Sequence, residues 1–545
     1  MKNVNILQRR YSQRVNKILH SSLFVLHLHC ALLFAAPLLS LAAPLDWGDQ
    51  GDGTYRNPVL NADYSDPDVI RVGEKYYMVA SDFHFMGMQI LESTDMVNWR
   101  VLTQVYHRLD LPGWDTNERY AGGSWAPALR YHDGKYWIFF CTPHEGLFMT
   151  QAVKPEGPWS PLHCLKAVEK WEDPCPFWDS DGKAYLGRSQ HGAGPIILHR
   201  MSEDGRTLLD DGVTIYTGPV AEGTKFLKRD GWYYLSIPEG GVGEGWQTVL
   251  RSKSIYGPYE KRVVLHQGST AVNGPHQGAL VDTPQGAWWF YHFQETEALG
   301  RVVHLQPVAW HDGWPQMGTD ADGDGIGEPV AAWSNPLPQT QPSLPQTSDD
   351  FAGAQLSPQW QWNHNPEDEA WSLTENPGAL TLHALKAESF IKARNTLTQK
   401  AMGYESEATV ELDFSHLAEG GRAGIVCMGK TNELLGVRKE GGSLKLYRTL
   451  ATFKQKDGTP PTETDTLICS VDDAERLWLR ISFDMPARQY RFHYSTDGAT
   501  FRQAGNPFYT IRGNWKGVRL GIYHYNTLTA EGYVTVPQAE YTVSK

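Results

Sequence analysis

Five times along the chain a hairpin strand opens on aromatic residues. The openings are Tyr76, Tyr136, Tyr185, Tyr233 and Trp288, spaced 60, 49, 48 and 55 residues apart. A repeat of that length is too long for a single hairpin and suits one supersecondary unit that buries its faces against its neighbours. Each unit reads as strand, turn, aromatic strand, loop, strand and a polar outer segment, as in DPDVIRVGEKYYMVASD followed by QILESTDMVNW. That pattern is a four-stranded blade, and five of them predict an all-β fold, a five-bladed β-propeller. Asp133-Gly134, Asp181-Gly182 and Asp230-Gly231 mark tight turns between the first and second strands.

Ten to twelve residues before each aromatic opening stand Asp66, Trp125, Asp173, Glu222 and His276. If these positions are equivalent, they begin the innermost strand of each blade and ring one mouth of the central channel. Asp66-Pro67 and Asp173-Pro174 repeat one arrangement, and Gly223 after Glu222 allows a close approach of backbone or ligand. Three carboxyl groups around one pocket are the equipment for acid–base hydrolysis of a sugar linkage.

The repeat stops near Trp333. Residues 336–348 are rich in Pro, Gln and Ser and read as a linker. Alternating segments such as YESEATVELDF, RLWLRISFD and GVRLGIYHYN follow, so residues 349–545 are expected to form a β-sandwich. Residues 50–335 then hold the propeller. At the other end, Lys2, Arg9, Arg10, Arg14 and Lys17 precede an apolar run from Leu23 to Leu41 that closes on Ser40-Leu41-Ala42. Residues 1–42 therefore read as a signal peptide, with a periplasmic or extracellular destination and no membrane attachment once it is removed. The rival reading of this run is a retained anchor.

A net charge of -13 without a basic stripe argues against nucleic acid as a partner and does not repel a neutral polysaccharide. The 20 tryptophans divide between core positions and rings suited to sugar stacking. Cysteines Cys141, Cys164, Cys175, Cys427 and Cys469 have no metal-ligand spacing, and their odd number leaves at least one thiol free.

YRNPVLNADYSDPDVIRVGEKYYMVAS, GGSWAPALRYHDGKYW, WEDPCPFWDSDGKAYL, AEGTKFLKRDGWYYL and LGRVVHLQPVAWHDGWP together resemble glycoside hydrolase family 43. The stretch Trp360-Gln361-Trp362-Asn363-His364-Asn365-Pro366 resembles the concanavalin A-like C-terminal domain of its β-xylosidases. The resemblance implies an exo-acting, inverting hydrolase that removes terminal xylosyl or arabinofuranosyl units from xylan-derived oligosaccharides or arabinoxylan. It implies Asp66 as general base, Glu222 as general acid and Asp173 as the residue that tunes and orients the acid. Arg301 matches a substrate-contacting arginine. His276 matches a channel histidine that holds an ion, often calcium, through water, while the chemistry itself requires no cofactor. Trp125, Phe85 and Trp246, with Phe83 beside them, are expected at the sugar pocket. FHFMGMQI resembles a pocket-edge loop of the relatives, with Gly87 and Met88 where a proline often stands. Asp320, Asp322 and Asp324 resemble the start of a calcium loop, but Ala331 occupies the place of its final glutamate. β-Xylosidase is the favoured activity. α-L-Arabinofuranosidase is the alternative, and a carbohydrate-binding propeller without catalysis is the alternative from another class.

Overall fold

The computed structural model describes residues 45–338, 341–454 and 459–544. The expected signal peptide lies outside the described residues, as do two positions of the linker. Apart from two single 3-10 turns, the described elements are all strands.

Five four-stranded antiparallel sheets follow one another, each formed by four strands consecutive in sequence. Their first strands are Asp68–Val72, Trp125–His132, Trp171–Trp178, Lys225–Arg229 and His276–Asp282. The first strands of blades 1 to 4 touch in turn, the second strand of blade 4 meets the first strand of blade 5, and the fifth returns to the first, so the sheets close into a five-bladed propeller. The aromatic second strands explain how the blades adhere. Tyr77, Val79 and Ile90 of blade 1 pack on Leu129, Ile138 and Phe140 of blade 2. Trp137, Phe139 and Met149 of blade 2 meet Leu186 and Met201 of blade 3. Such side chains bury large apolar areas between sheets, the main favourable term in this fold.

The turn chemistry follows the sequence with one exception. Asp133-Gly134 and Asp230-Gly231 have positive φ at both residues, as a type I′ hairpin requires. At Asp181-Gly182 only the glycine is left-handed, and the Gly182 N–H donates to the Asp179 carbonyl at 3.1 Å. Blade 3 therefore uses a longer loop with glycine at its left-handed position.

Strand Gly48–Asp49 pairs with Thr54–Arg56, and Thr54–Arg56 pairs with Ala332–Ser334, which ties the beginning of the propeller to its end. The segment after it runs along blade 1: the Val101 N–H donates to Gln346, Gln346 returns a bond to the Val101 carbonyl, and the Ser343 N–H donates to Asn98.

The C-terminal region is a sandwich of an eight-stranded and a seven-stranded sheet. In the seven-stranded sheet, Glu405–Asp413 and Arg476–Asp484 alternate buried with less buried residues, the signature of one covered face. In the eight-stranded sheet, Arg519–Asn526 is buried throughout. The central strands of that sheet are covered on both faces, because the propeller lies on the second one. Trp99, Tyr291 and Leu299 of the propeller share a continuous core with Trp360, Trp362, Leu397 and Ile522 of the sandwich. Trp360–Pro366, the stretch that resembles the family's second domain, is part of this joint: the Met86 N–H donates to the Trp362 carbonyl and the Leu109 N–H to Asn365 Oδ1. The five described cysteines are free thiols.

Candidate active site

Every inner strand has an irregularity at the same point. Asp66, Ala126, Asp173, Gly223 and Gln277 all have φ between 36° and 58°. In blades 2, 3 and 5 the ladder shifts register there, between Trp125 and Ala128, Glu172 and Cys175, and His276 and Gly278. A left-handed residue in a bulge re-aims the side chains on either side of it, and non-glycine residues accept that strain mainly at functional sites.

This ring corrects the expected alignment. The residues at one phase are Asp66, Ala126, Asp173, Gly223 and Gln277. The residues one position earlier are Ser65, Trp125, Glu172, Glu222 and His276. The two aspartates therefore belong to one phase and Glu222 to the other. The reason is that the spacing to the aromatic opening varies from ten to twelve residues between blades, which hides the offset from a count along the sequence.

Blades 1 and 3 build the same nest around their aspartates. Ser81 Oγ donates to Asp66 Oδ2 at 2.6 Å, and Ser189 Oγ donates to Asp173 Oδ2 at 3.2 Å. Each nest is also tied to the next blade. The Ala126 N–H donates to Ser81 Oγ at 2.7 Å, and the Gly223 N–H donates to Asp173 Oδ2 at 2.7 Å. Gly223 has no alternative residue: a Cβ there would lie 2.5 Å from the Pro238 ring.

The partners then diverge. Arg301, buried at the start of Arg301–His311, places Nη1 2.6 Å from Asp66 Oδ1. It is a buried ion pair in the pocket rather than a surface salt bridge, and its guanidinium also lies over the Phe293 ring at 4.7 Å. Among the described residues no cation stands at contact distance from Asp173, and Lys225 acts on it only from farther off. Burial, and secondly the charge of Asp66, push its carboxyl up to about 6. Glu222 is pushed up to about 8, first by burial and then by Asp173, with Asp66 adding to the effect and Arg301 opposing it. The acid is thus protonated at neutral pH beside an anionic neighbour.

Glu172, which the sequence did not single out, completes the set. One carboxylate oxygen from each of Glu172, Asp173 and Glu222 lies within 4.8 Å of the others. Its signal was present in the sequence as the residue before Asp173, in the phase of Glu222.

The other expected residues divide. Trp125 is half-buried at the mouth, with its indole N–H on the Ala121 carbonyl at 2.8 Å, Phe83 edge-on at 5.9 Å and His191 at 5.2 Å. Trp246 opens its strand at the acid-bearing end of blade 4, opposite Glu239, and its buried indole N–H has no partner among the described residues. Phe85 is a correction. It is buried against the sandwich, with the Arg519 guanidinium 3.7 Å over its ring, in a cluster with Phe390, Met428 and Tyr523. The FHFMGMQI loop thus splits: Phe83 backs Trp125, while Phe85 belongs to the joint between domains. Trp515, from the sandwich, places its exposed ring 5.9 Å from the Arg301 guanidinium, a contact no local pattern could reveal.

His276 is fully buried and held neutral, its imidazole lowered to about 4 chiefly by burial. Nδ1 donates to the Gly274 carbonyl at 2.6 Å, which leaves Nε2 as a lone pair without a partner among the described residues. A water-bound cation fits that donor. Asp320, Asp322 and Asp324 instead accept N–H groups of their own turn, including Gly323 at 2.8 Å and Ile326 at 2.7 Å. One carboxylate oxygen from each also lies within 4.8 Å of the others, so the turn is a compact acidic cluster.

Comparison with known proteins agrees with this geometry. Residues 55–315 match the sequence profile described as glycosyl hydrolases family 43, and residues 348–542 match the beta xylosidase C-terminal concanavalin A-like domain. A protein of Xylanibacter ruminicola named "Putative beta-xylosidase" is 56% identical over 475 residues, 87% of each chain. A beta-xylosidase of Formosa agariphila is 37% identical over 90% of each chain. A non-reducing end alpha-L-arabinofuranosidase of Bacteroides ovatus is 28% identical over 86% of this chain and 91% of its own. The crystal structure of the family 43 protein BlXynB from Bacillus licheniformis superposes with a TM-score of 0.77 at 27% identity, covering 90% of this chain and all of that one. The chain belongs to glycosyl hydrolases family 43 and is a glycosidase.

Proposed function

We propose that the protein is an exo-acting β-xylosidase that cleaves terminal xylosyl units from xylan-derived oligosaccharides by single displacement. The observation that carries the mechanism is the unequal treatment of three pocket acids: Asp66 is ion-paired with Arg301, whereas Glu222 is protonated next to Asp173. In this reading Asp66 takes a proton from the attacking water as the new C–O bond forms. Glu222 gives its proton to the leaving oxygen as the old bond breaks. Asp173 holds that proton on Glu222 and fixes the loop through the Gly223 N–H. Arg301 orients Asp66 and reduces repulsion among the acids.

The names of the most similar relatives support xylose as the sugar. The Bacteroides ovatus relative supports α-L-arabinofuranoside as a second substrate of the same pocket. His276 would hold a structural cation such as calcium through water, and no proton-transfer step passes through it. Export rests on the composition of residues 1–42. The test is release of 4-nitrophenol from the β-D-xyloside and the α-L-arabinofuranoside. Faster turnover of the xyloside is the expected result. A preference for the arabinofuranoside would exchange the two readings, and inactivity on both would leave a carbohydrate-binding propeller.

A further inference from the structure

Glu172 and Glu239 are both buried acids near the mouth of the channel, and they are satisfied very differently. Glu239 meets Tyr216 Oη at 2.7 Å, Thr248 Oγ1 at 2.5 Å and Lys261 Nζ at 2.8 Å. This is the full complement a structural carboxylate needs. Among the described residues Glu172 has only the Ala193 N–H at 3.4 Å and His191 Nδ1 at 3.4 Å, both at the long limit of a hydrogen bond. A buried carboxyl group with such weak internal partners costs stability, and a group kept at that cost calls for another partner.

The phase of the repeat shows where that partner would be. Glu172 occupies in blade 3 the position that Glu222 occupies in blade 4 and Trp125 in blade 2. Its side chain therefore stands at the mouth with theirs, and Trp125 packs on His191, the ring beside Glu172. A sugar whose glycosidic oxygen sits at Glu222 brings its other groups within reach of this wall.

We propose that Glu172 is a specificity-determining contact for the terminal sugar, hydrogen-bonded to one of its hydroxyl groups on the wall formed with Trp125 and His191. The proposal rests on the reading of the pocket as a glycosidase site. The carboxyl acts as a donor. Burial first, then Asp173 and Glu222, push it up to about 9, with Asp66 adding to the effect. His191 is the ionisable side chain that faces it from the following loop, and Cys141 is the neighbouring thiol in blade 2. A neutral acid and a neutral amide are interchangeable as donors, whereas a carboxylate and an amide are not.

The test combines substrate and protein changes. kcat/KM is measured for 4-nitrophenyl β-xylosides lacking one hydroxyl at a time, with wild type, Glu172→Gln and Glu172→Ala. In wild type, removal of the contacted hydroxyl should cost about tenfold, the scale of one neutral hydrogen bond. Glu172→Gln should keep that penalty, and Glu172→Ala should remove it while leaving the other two penalties unchanged. If the alanine variant keeps the full wild-type penalty at every position, Glu172 touches no sugar hydroxyl and the proposal fails. If glutamine removes the penalty as alanine does, the donor assignment fails. Wild-type turnover separates these failures from a failure of the functional reading: inactivity of wild type on the intact xyloside overturns both.

Discussion

Blades 1 and 3 present the same aspartate in the same place. Asp66 and Asp173 share a φ of 55°, a serine hydroxyl from the facing strand and a tie to the following blade. Their surroundings differ in one respect that matters. Blade 1 receives Arg301 from blade 5 and is backed by the sandwich, while blade 3 opens beside two glutamates. The backbone repeat thus fixes where an acid stands, and neighbours from distant parts of the chain decide what it does.

The backing of blade 1 is a buried charge cluster. Lys516 of the sandwich reaches Asp63 at 3.0 Å and the Ser81 carbonyl at 2.7 Å. Asp63 accepts the Arg301 N–H at 3.0 Å and Ser65 Oγ at 3.0 Å. Both arms that hold Asp66, through Ser81 and through Arg301, are therefore anchored on one lysine of the other domain. Lys400 pairs with Asp82 at 3.1 Å beside it, and three cations together pull the Asp82 carboxyl down to about 2 against the effect of burial. The sandwich thereby helps to build the floor of the active site.

If the two aspartates are different in kind, their asparagine variants should fail differently. Asp66→Asn should lose about 10,000-fold in kcat with little change in KM, equally for good and poor leaving groups, because the water loses its base. A loss confined to poor leaving groups would make Asp66 part of the acid machinery. Glu222→Ala should lose on the order of 1,000-fold on xylobiose and much less on an activated aryl xyloside, whose leaving group needs no proton. Equal losses on both would remove Glu222 as the acid.

Asp173→Asn should cost roughly tenfold and should change the pH profile. Activity needs Glu222 protonated, so kcat/KM falls as pH rises through its value of about 8. The Asp173 charge raises that value, after burial, so its removal lowers it and the alkaline limb should move to lower pH. An unmoved limb would mean that Asp173 does not tune the acid. The clearest effect on stability belongs to Lys516→Met, which leaves Asp63 buried without its cation. Denaturant unfolding should show a loss of about 3–5 kcal/mol, recovered in large part by adding Asp63→Asn. No loss would detach the sandwich from the floor of the site.

Much of this was legible in the sequence, because a propeller repeats its physics. The aromatic strands that glue blades together recur visibly, and so do the carboxyl groups at the mouth. The phase within the bulge was not legible. The aromatic opening follows the bulge residue by ten positions in blades 1, 2 and 4, eleven in blade 5 and twelve in blade 3, so a window of ten to twelve residues reaches Asp173 and misses Glu172, the counterpart of Glu222. Phe85 was misplaced for a different reason: nothing local distinguishes a ring against sugar from a ring against Arg519, 434 positions later. Lys516 and Trp515 lie in the second domain, and only tertiary packing brings them to the first.

The central claim is that Asp66 activates water and does not itself attack the sugar. Proton NMR of the first sugar released from a β-xyloside tests this most directly, recorded before mutarotation. The account predicts α-xylose, the inverted anomer. β-Xylose as the first product would mean two displacements, would make one of these acids a covalent nucleophile, and would contradict the roles given to both.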